Sequence, residues 1–285
     1  MTNQAFLASV KQNGSALFFL SPEFKTKEIC LAAVKQDGMA LCFVPTELRT
    51  QEVCLEAVKQ DGWALVYVPI QTDDLCLEAV KQNGFALQYV HHQTDEICMY
   101  AVKQNGHALQ FVQKQTQEIC EKAVRQNGSA LEFVLKQTEE ICTAAVQTYG
   151  LALQYVRKQT EEICIAAAKQ NGLSLEFVKV QTDAICFVAV KNNPRALTLV
   201  YKQTDDICLV AVKTQGWALQ HVQRQTPQIC LAAVQQDGMA LEYVKEQSYD
   251  ISLAAIEQNT AALQFDNLLP LDVRLKTLKQ NNQLL

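Results

Sequence analysis

The chain has 285 residues, of which 49% are hydrophobic and 19% are charged, and its formal net charge is −5. That amount of apolar material excludes a disordered chain, because it is enough to bury a large core. No stretch reaches the roughly 18 uncharged apolar residues that a membrane span needs, and residues 1–19 lack the pattern of a secretory signal. The acidic balance argues against nucleic acid as the main partner.

Internal repeats organise the sequence. All ten glycines share one repeat position, at intervals of 24 residues twice and 22 thereafter, with Pro194 and Thr260 where a glycine is missing. Ten of the eleven cysteines follow the same period, and only Cys42 is out of phase. A threonine opens each unit except the last, which Ser248 opens. The pattern predicts a single solenoid of twelve repeats within residues 1–266, followed by a capping helix over 267–285.

The unit that opens at Thr94 predicts how each repeat folds. A threonine before Asp95 and Glu96 is typical of a helix start, because its hydroxyl caps free amides and the carboxylates face the positive end of the helix dipole. The apolar residues that follow share one helical stripe. They are Ile97, Cys98, Ala101 and Val102.

Gly106 marks the end of this first helix, since an Asn-Gly pair tolerates the left-handed geometry of many helix ends. A shorter apolar stripe from Ala108 to Val112 predicts a second helix. A hairpin of two such helices cannot bury its own apolar face, so neighbouring repeats must stack. We therefore predict an all-α fold, a right-handed-type α-solenoid of about twelve helix-hairpin repeats, each of 22–24 residues, with terminal caps.

A leucine-rich-repeat horseshoe is the alternative architecture, because its repeat length overlaps this one. The apolar run around Leu109 is compatible with a strand as well as a helix. The leucine spacing differs from that of the horseshoe fold, and the recurring Ala-Val-Lys-Gln run favours helix. Helix hairpins are therefore the preferred interpretation.

The recurring pattern A-V-K-Q-N-G-x-A-L-x-Y/F-V, as at Ala79–Val90, resembles a short tandem-repeat family of unknown function. That family occurs in giant DNA viruses, in amoebae and in bacteria that live inside amoebae. Its Pro-acidic-leucine connector survives here only in the first two connectors, at Pro22-Glu23-Phe24 and around Pro45–Leu48, and later connectors lack two residues. The resemblance implies an interaction or host-directed role, and it brings no catalytic residue and no known ligand.

The cysteines come one per repeat on the predicted buried stripe. Equivalent helices of a stacked solenoid lie about 8–10 Å apart, whereas a disulfide needs Cα atoms within about 7 Å. No C-x-x-C pair points to a zinc site. We therefore predict that the cysteines are small core residues, and that unpaired thiols place the protein in a reducing compartment, the cytoplasm.

Nothing in the sequence indicates an enzyme. The four histidines occupy three different repeat positions, so they predict no metal site. They are His91, His92, His107 and His221. No Ser-His-Asp or Cys-His arrangement and no glycine-rich phosphate loop is visible. We expect no catalytic, metal-binding or cofactor-binding residue.

Charged residues form rows along the predicted solenoid. Acidic residues follow the amino ends of the first helices: Glu96, Glu118, Glu140 and Glu162. Basic residues follow their carboxyl ends: Lys59, Lys81, Lys103, Arg125 and Lys169. Complementing the helix dipole explains both rows without a partner. A third row lies in the connectors: Lys114, Lys136, Arg157, Lys158, Lys179, Lys202, Arg224 and Lys245. A nucleic-acid reader would need such a row with stacking aromatics.

The residue that follows each glycine position varies most between repeats. Both tryptophans of the chain lie at this position. Large side chains on a regular scaffold are candidate anchors for a partner, and filling gaps between repeats is an equally good interpretation. The candidate partner-binding residues are Trp63, Phe85, His107, Leu151, Arg195 and Trp217.

The predicted terminal helix carries leucines and basic residues: Leu271, Arg274, Leu275, Lys276, Leu278 and Lys279. It fits a cap over the last repeat or a segment that binds a partner or a membrane surface. Departures from the consensus at Tyr149 and Pro194 predict local irregularity. We infer a non-enzymatic scaffold that binds an unidentified protein partner, in a virus–host or pathogen–host setting. A nucleic-acid-binding helical array is the alternative, and the oligomeric state is left open.

Overall fold

The computed structural model describes residues 3–275. Within them, ten-residue α-helices alternate with six-residue 3-10 helices, and no strand is present. The α-helices are α1 (Asn3–Gln12), α2 (Lys27–Gln36), α3 (Gln51–Gln60), α4 (Asp73–Gln82), α5 (Asp95–Gln104), α6 (Gln117–Gln126), α7 (Glu139–Thr148), α8 (Glu161–Gln170), α9 (Asp183–Asn192), α10 (Asp205–Thr214), α11 (Pro227–Gln236) and α12 (Tyr249–Gln258).

Each α-helix is followed by one six-residue 3-10 helix, and the pair forms a repeat numbered after its α-helix. These 3-10 helices are Gly14–Phe19, Gly38–Phe43, Gly62–Tyr67, Gly84–Tyr89, Gly106–Phe111, Gly128–Phe133, Gly150–Tyr155, Gly172–Phe177, Pro194–Leu199, Gly216–His221, Gly238–Tyr243 and Thr260–Phe265. Two three-residue 3-10 turns, Pro22–Phe24 and Thr46–Leu48, lie in the first two connectors. Residues 271–275 are also helical.

This arrangement confirms the all-α solenoid. Within each of the two compact units of the chain, consecutive α-helices pack against each other. They also contact the 3-10 helices of neighbouring repeats, as α4 and α5 do with those of their own and the preceding repeat. The absence of strands from residues 3–275 makes the leucine-rich-repeat alternative wrong. Among the same residues, no helix combines the length and apolar character that a membrane crossing requires.

The chain forms two compact units, which divide between Thr148 and Tyr149. The first unit contains α1–α7, and the second contains α8–α12. The division falls where the sequence departs from the consensus, because Thr148 and Tyr149 replace the usual glutamine and asparagine. At Pro194, the other predicted irregularity, the 3-10 helix still forms and Asn193 Oδ1 still accepts a hydrogen bond from Arg195 N, at 3.1 Å.

The α-helices begin as the sequence predicts. Thr94 Oγ1 accepts a hydrogen bond from Ile97 N at 3.2 Å and thereby caps α5. Threonine or serine makes the same bond at the start of the other α-helices from α2 onwards. The predicted stripe is buried: Ile97, Cys98, Ala101 and Val102 each have 3% exposure or less.

The reason predicted for the recurring glycines was wrong. No residue of the described chain has a positive φ, so left-handed geometry is not what requires glycine. Glycine is favoured because the next repeat approaches closely, although Pro194 fits at the same position where Thr214 replaces the glutamine of the next repeat. A Cβ added at Gly62 would lie 2.4 Å from the carbonyl oxygen of Ala79, well inside van der Waals contact. Thr260 is tolerated because no further repeat follows it among the described residues.

A side-chain cap opens the 3-10 helix of most repeats, although Tyr149 and Gln215 stand at the cap position without making that bond. Asn105 Oδ1 accepts a hydrogen bond from His107 N at 3.0 Å and ends α5 as it opens the Gly106–Phe111 helix. Ala108 and Leu109 are fully buried. Because a 3-10 helix has three residues per turn, the positions one and four residues after the glycine share a face that points away from this core.

An ion pair and backbone hydrogen bonds join the end of the last repeat to the residues that follow it. Asp266 replaces the valine of most other repeats, and its buried carboxylate accepts hydrogen bonds from the backbone N–H groups of Leu268 and Leu269. Arg274 pairs with it, since Nη2 lies 2.7 Å from Asp266 Oδ2. Leu271 and Leu275 are exposed. The remaining residues of the predicted terminal helix, Lys276, Leu278 and Lys279 among them, lie outside the described residues.

Candidate functional site

A glutamine joins the 3-10 helix of one repeat to the α-helix of the next. Gly84 N donates to Gln104 Oε1 at 2.7 Å, and Gly62 N donates to Gln82 Oε1 at the same distance. The bond recurs at Gly14, Gly38, Gly106, Gly150, Gly216 and Gly238. Sequence analysis missed this role, although the available signal was a glutamine three residues after a buried alanine in most repeats.

The glutamine before each threonine forms a second ladder. Gln93 Nε2 donates to the Phe111 carbonyl oxygen at 2.9 Å in the next repeat. Gln93 Oε1 accepts from Gln113 N at 3.0 Å and from the Cys98 thiol at 3.5 Å. In the two longer connectors, Lys25 and Arg49 replace the glutamine. They donate to the corresponding carbonyl oxygens, of Phe43 and Tyr67. The repeat cysteine therefore also serves as a donor, a role the sequence analysis did not assign.

The recurring residues of each repeat therefore serve the packing of one repeat on the next. The positions left to vary lie in the connectors, on the outer side of the α-helices and on one face of the 3-10 helices. We define the 3-10 face as the positions one, four and five residues after the glycine position. The six candidate partner-binding residues all belong to it, at the first of those positions.

In the first unit, the candidate residues form a row of ring contacts. Each ring meets, edge to face, the aromatic ring that lies five residues after the glycine in the next repeat. Trp63 lies 5.8 Å from Tyr89, measured between ring centroids. The corresponding pairs, Phe85–Phe111 and His107–Phe133, lie at 5.9 and 5.7 Å. Trp63, Phe85 and His107 are all half-buried, so each side chain both packs against its neighbour and presents surface to solvent.

In the second unit, the remaining candidates have different neighbours. The Arg195 guanidinium lies 5.8 Å from the Trp217 ring centroid, a cation–π contact. Trp217 meets His221 of its own repeat edge to face at 5.9 Å. Burial, and secondarily the positive charge of Arg195, lowers the pKa of His221. Leu151 is half-buried and Arg195 is exposed. The structure thus places three candidates in each unit.

His107 takes part in a closed hydrogen-bond circuit. Its Nδ1 lies 3.2 Å from Asn127 Nδ2, and its Nε2 lies 2.9 Å from Ser129 Oγ, which donates to Asn127 Oδ1 at 2.8 Å. Because an amide nitrogen can only donate, Nδ1 accepts and Nε2 carries the proton. In that tautomer His107 donates to Ser129 and cannot act as its base. The cluster therefore links repeats 5 and 6 and does not form a nucleophile–base pair.

All eleven cysteines are free thiols, and the ten in phase with the repeat are buried. Burial raises the pKa of nine of these thiols. For Cys76, Cys98 and Cys208 the pKa reaches about 11, with a nearby aspartate adding to the effect. A thiol with so high a pKa carries little thiolate near neutral pH, so the ladder is poorly suited to nucleophilic or redox chemistry.

The charged rows predicted from the sequence are exposed. The eight connector cations from Lys114 to Lys245 all face solvent. The acidic row at the amino ends of the α-helices and the basic row at their carboxyl ends are exposed as well. Residues 3–275 contain no group of three or more His, Cys, Asp or Glu side chains placed to hold a metal ion.

A comparison with known families finds matches that follow the structural repeats. The chain matches the family described as Domain of unknown function (DUF4116) at residues 6–49, 50–93, 72–115, 94–137 and 138–181. These matches run without a gap from residue 6 to residue 181, well over half of the chain. The chain belongs to the DUF4116 family. Each DUF4116 match spans 44 residues, or two structural repeats, and the match at 72–115 overlaps each of its two neighbours by one repeat. No curated protein and no solved structure matches the chain significantly.

Proposed function

We propose that this DUF4116 chain is a non-enzymatic scaffold that binds a protein partner through its 3-10 face. One observation carries the proposal. The recurring residues of each repeat are committed to inter-repeat hydrogen bonds or to the core, whereas the first position of the 3-10 face varies freely and bears large half-buried side chains. Rigid repeats that present variable aromatic groups are typical of binding solenoids.

The proposed cellular compartment rests on the chemistry of the cysteines, and the proposed host context rests on the family resemblance described above. Free cysteines in a ladder suit a reducing compartment, because an oxidising one favours paired cysteines. A cytoplasmic location, in a host cell if the protein acts between virus or pathogen and host, is therefore part of the proposal.

Affinity capture with matched variants tests the scaffold. Serine occupies the first position of the 3-10 face in repeats 1 and 6, so Trp63→Ser, Phe85→Ser and His107→Ser introduce a residue that the repeat already accepts. We expect the triple variant to recover at least tenfold less of a captured protein than the wild type, while its thermal midpoint changes little. The control is Leu109→Ala, which opens the buried core and lowers the thermal midpoint by several degrees.

The same variants separate anchoring from packing. If the triple variant loses stability as severely as Leu109→Ala, and binding falls only in proportion to unfolding, then the rings fill gaps between repeats and the 3-10 face is not the binding site. Loss of binding without loss of stability supports the scaffold.

Nucleic acid is the second candidate, favoured by the exposed row of connector cations. A phosphate-binding row would make recovery of nucleic acid strongly dependent on salt. Capture at two salt concentrations separates the two functions: protein recovered at both concentrations supports the scaffold. Nucleic acid that is recovered only at low salt, and lost in a variant with Lys114→Gln, Lys136→Gln and Lys202→Gln, supports the alternative.

A further inference from the structure

The outer side of the α-helices changes character along the chain. At the sixth residue after the threonine or serine that opens a repeat, repeats 3 to 6 carry Glu56, Glu78, Tyr100 and Lys122. Repeats 8 to 12 carry only alanine or valine there: Ala166, Val188, Val210, Ala232 and Ala254. The residue just before it is also apolar in each of these five repeats: Ile165, Phe187, Leu209, Leu231 and Leu253. We name these ten residues of α8–α12, all in the second unit, the outer α-face.

The outer α-face is a continuous apolar surface that solvent reaches. Phe187 is 39% exposed, and the other nine side chains are half-buried. The five α-helices that carry them pack side by side. Between α9 and α10, Phe187, Leu209 and Val210 line an open cleft. Contiguous apolar surface that stays open to solvent marks an interaction site.

Charged rows border the outer α-face on both sides. In α8, α9 and α10 the first turn carries carboxylates and the last turn carries a lysine. The carboxylates are Glu161, Glu162, Asp183, Asp205 and Asp206, the lysines are Lys169, Lys191 and Lys213, and all are exposed. Asp183, Asp206 and Lys213 form part of the walls of the α9–α10 cleft, whereas the connector cations do not line it. The face therefore has an acidic edge and a basic edge, both with the spacing of the repeats.

The charges on these two edges are open to a partner. In repeat 4 a glutamate on the outer side pairs with the lysine of the same α-helix, since Lys81 Nζ lies 2.9 Å from Glu78 Oε1. Alanine or valine replaces that glutamate in repeats 8 to 10. The lysines of the basic edge make no ion pair with another residue of the described range, 3–275: Lys169, Lys191 and Lys213. On the acidic edge, Glu161 accepts a hydrogen bond from Thr182 Oγ1, and the other carboxylates make no ion pair within the same range.

An acidic edge and a basic edge of equal spacing make the outer α-face complementary to itself. The acidic edge follows the amino ends of the α-helices and the basic edge follows their carboxyl ends. A second copy laid face to face with antiparallel helices therefore sets each lysine opposite a carboxylate, whereas parallel helices would set like charges opposite each other. A two-fold axis along the row of helices generates the antiparallel arrangement, and each repeat then meets the same repeat of the partner. Because a second copy has the same repeat spacing, all three charged helices match at once.

The outer α-face is also large enough for a stable dimer. Five helices of ten residues, each about 15 Å long and about 8–10 Å from the next, cover about 600–750 Å² on each copy. The two copies together would bury about 1,200–1,500 Å², which lies within the range of specific protein–protein interfaces.

We infer that the outer α-face of the second unit is a homodimer interface, and that its occupant is the same face of a second copy. Burial of the apolar side chains supplies the affinity, and the two charged edges select the antiparallel orientation. The interface shares no residue with the 3-10 face. It is therefore tested separately from the proposed scaffold function, and either can fail without the other.

The first test is sedimentation of the full chain at micromolar concentration. The variant is Val188→Glu with Val210→Glu, because repeats 3 and 4 already carry glutamate at this position and the fold accepts it. In the variant each new carboxylate lies three residues before a lysine of the basic edge, as Glu78 lies before Lys81. Ala32→Glu, at the same position in repeat 2, is the matched control.

The wild type is expected to be a dimer, and the double variant to raise the dimer dissociation constant at least tenfold while its circular dichroism spectrum stays unchanged. The control is expected to dimerise like the wild type. A wild type that is monomeric throughout the micromolar range overturns the inference. So does a double variant that still dimerises, or a control that dissociates equally. Assemblies larger than a dimer also overturn it, because a two-fold interface closes after two copies.

The second test is a charge exchange, which decides the orientation and does not depend on the glutamate variant. One variant carries Lys191→Glu and Lys213→Glu, and the other carries Asp183→Lys and Asp206→Lys. Each variant alone has like charges on both edges of repeats 9 and 10, so we expect its dimer to weaken at least tenfold. An equimolar mixture is expected to form a heterodimer, because the reversed edges then match. Variants that dimerise alone, or a mixture of folded variants that stays monomeric, overturn the antiparallel interface.

Discussion

Pro194 and Thr214 occupy the two positions at which other repeats join a backbone N–H to a glutamine. Pro194 has no N–H to donate, and Thr214 replaces the glutamine that would accept from it. Thr214 Oγ1 instead donates within its own helix, to the Val210 carbonyl oxygen at 2.7 Å. Donor and acceptor are thus missing together, so no buried amide is left without a partner at this joint.

The glutamine ladder predicts opposite responses at two equivalent positions. Gln104→Ala removes the acceptor of the buried Gly84 N–H, and we expect it to cost about 1–3 kcal/mol in the free energy of unfolding. Thr214→Ala is expected to cost well under 1 kcal/mol, because Pro194 offers no N–H. Urea unfolding monitored by circular dichroism measures both. Equal costs would contradict the assigned role of the glutamine.

Close approach of the repeats predicts that glycine is costly to replace where the next repeat carries the glutamine, as at Gly84; Pro194 is accepted where Thr214 replaces that glutamine. Gly84→Ala places a Cβ 2.5 Å from the Ala101 carbonyl oxygen, so the two repeats must move apart. We expect a loss of about 1–3 kcal/mol, as for other overpacked sites. Thr260 is the internal control: Thr260→Ala meets no following repeat and is expected to leave the thermal midpoint nearly unchanged. An unchanged free energy of unfolding for Gly84→Ala would show that the contact between the two repeats can accommodate a methyl group.

The buried thiols predict a loss of stability at alkaline pH. Burial raises the pKa of Cys76, Cys98 and Cys208 to about 11, from a value near 9 for an unperturbed thiol. Between these two pH values the unfolded chain loses thiol protons that the folded chain keeps, so the folded state is progressively disfavoured. Stability that is fully present below pH 9 should therefore decline as the pH rises toward 11.

The measurement is the unfolding free energy as a function of pH, for the wild type and for a variant with all three of these cysteines replaced by alanine. Lysine and tyrosine titrate in both proteins, so the difference between the two slopes isolates the thiols. The variant should show the shallower decline. Thiol labelling should likewise be slow in the folded protein and fast in denaturant. Identical slopes, or rapid labelling of the native protein, would refute the burial argument.

The ion pair between Asp266 and Arg274 predicts a rescue by double substitution. Arg274→Ala leaves the buried Asp266 carboxylate without its cation, and because Arg274 is partly exposed we expect a cost on the order of 1–3 kcal/mol. Adding Asp266→Val restores the residue that most other repeats carry and removes the buried charge. The double variant should therefore be more stable than Arg274→Ala alone. Slower hydrogen exchange of the α12 amides in the double variant would show this. Additive losses would argue against a coupled pair.

Several features of the fold were readable from the repeat alone. The threonine cap, the buried stripe of α5 and the helix boundary before Gly106 all follow from local chemistry: a hydroxyl that caps amides, apolar residues at helical spacing and a cap residue before glycine. The row of variable residues was readable too, because twelve copies in one chain show which position changes, whereas its role as a partner-binding site stays a prediction. Local signals of this kind act within a few residues, and a single sequence displays them.

The sequence by itself therefore determined the number of repeats, the helix pairs and the buried cysteine row, since each depends on contacts within one unit of about 22 residues. Only the tertiary structure decided why the glycine and the glutamine before it recur. Their partners lie one repeat away, and the distance between Gly84 and the Ala101 carbonyl oxygen is a property of two stacked units. Likewise, only stacking brings the Phe18 ring within 5.2 Å of the Phe43 ring, 25 residues along the chain.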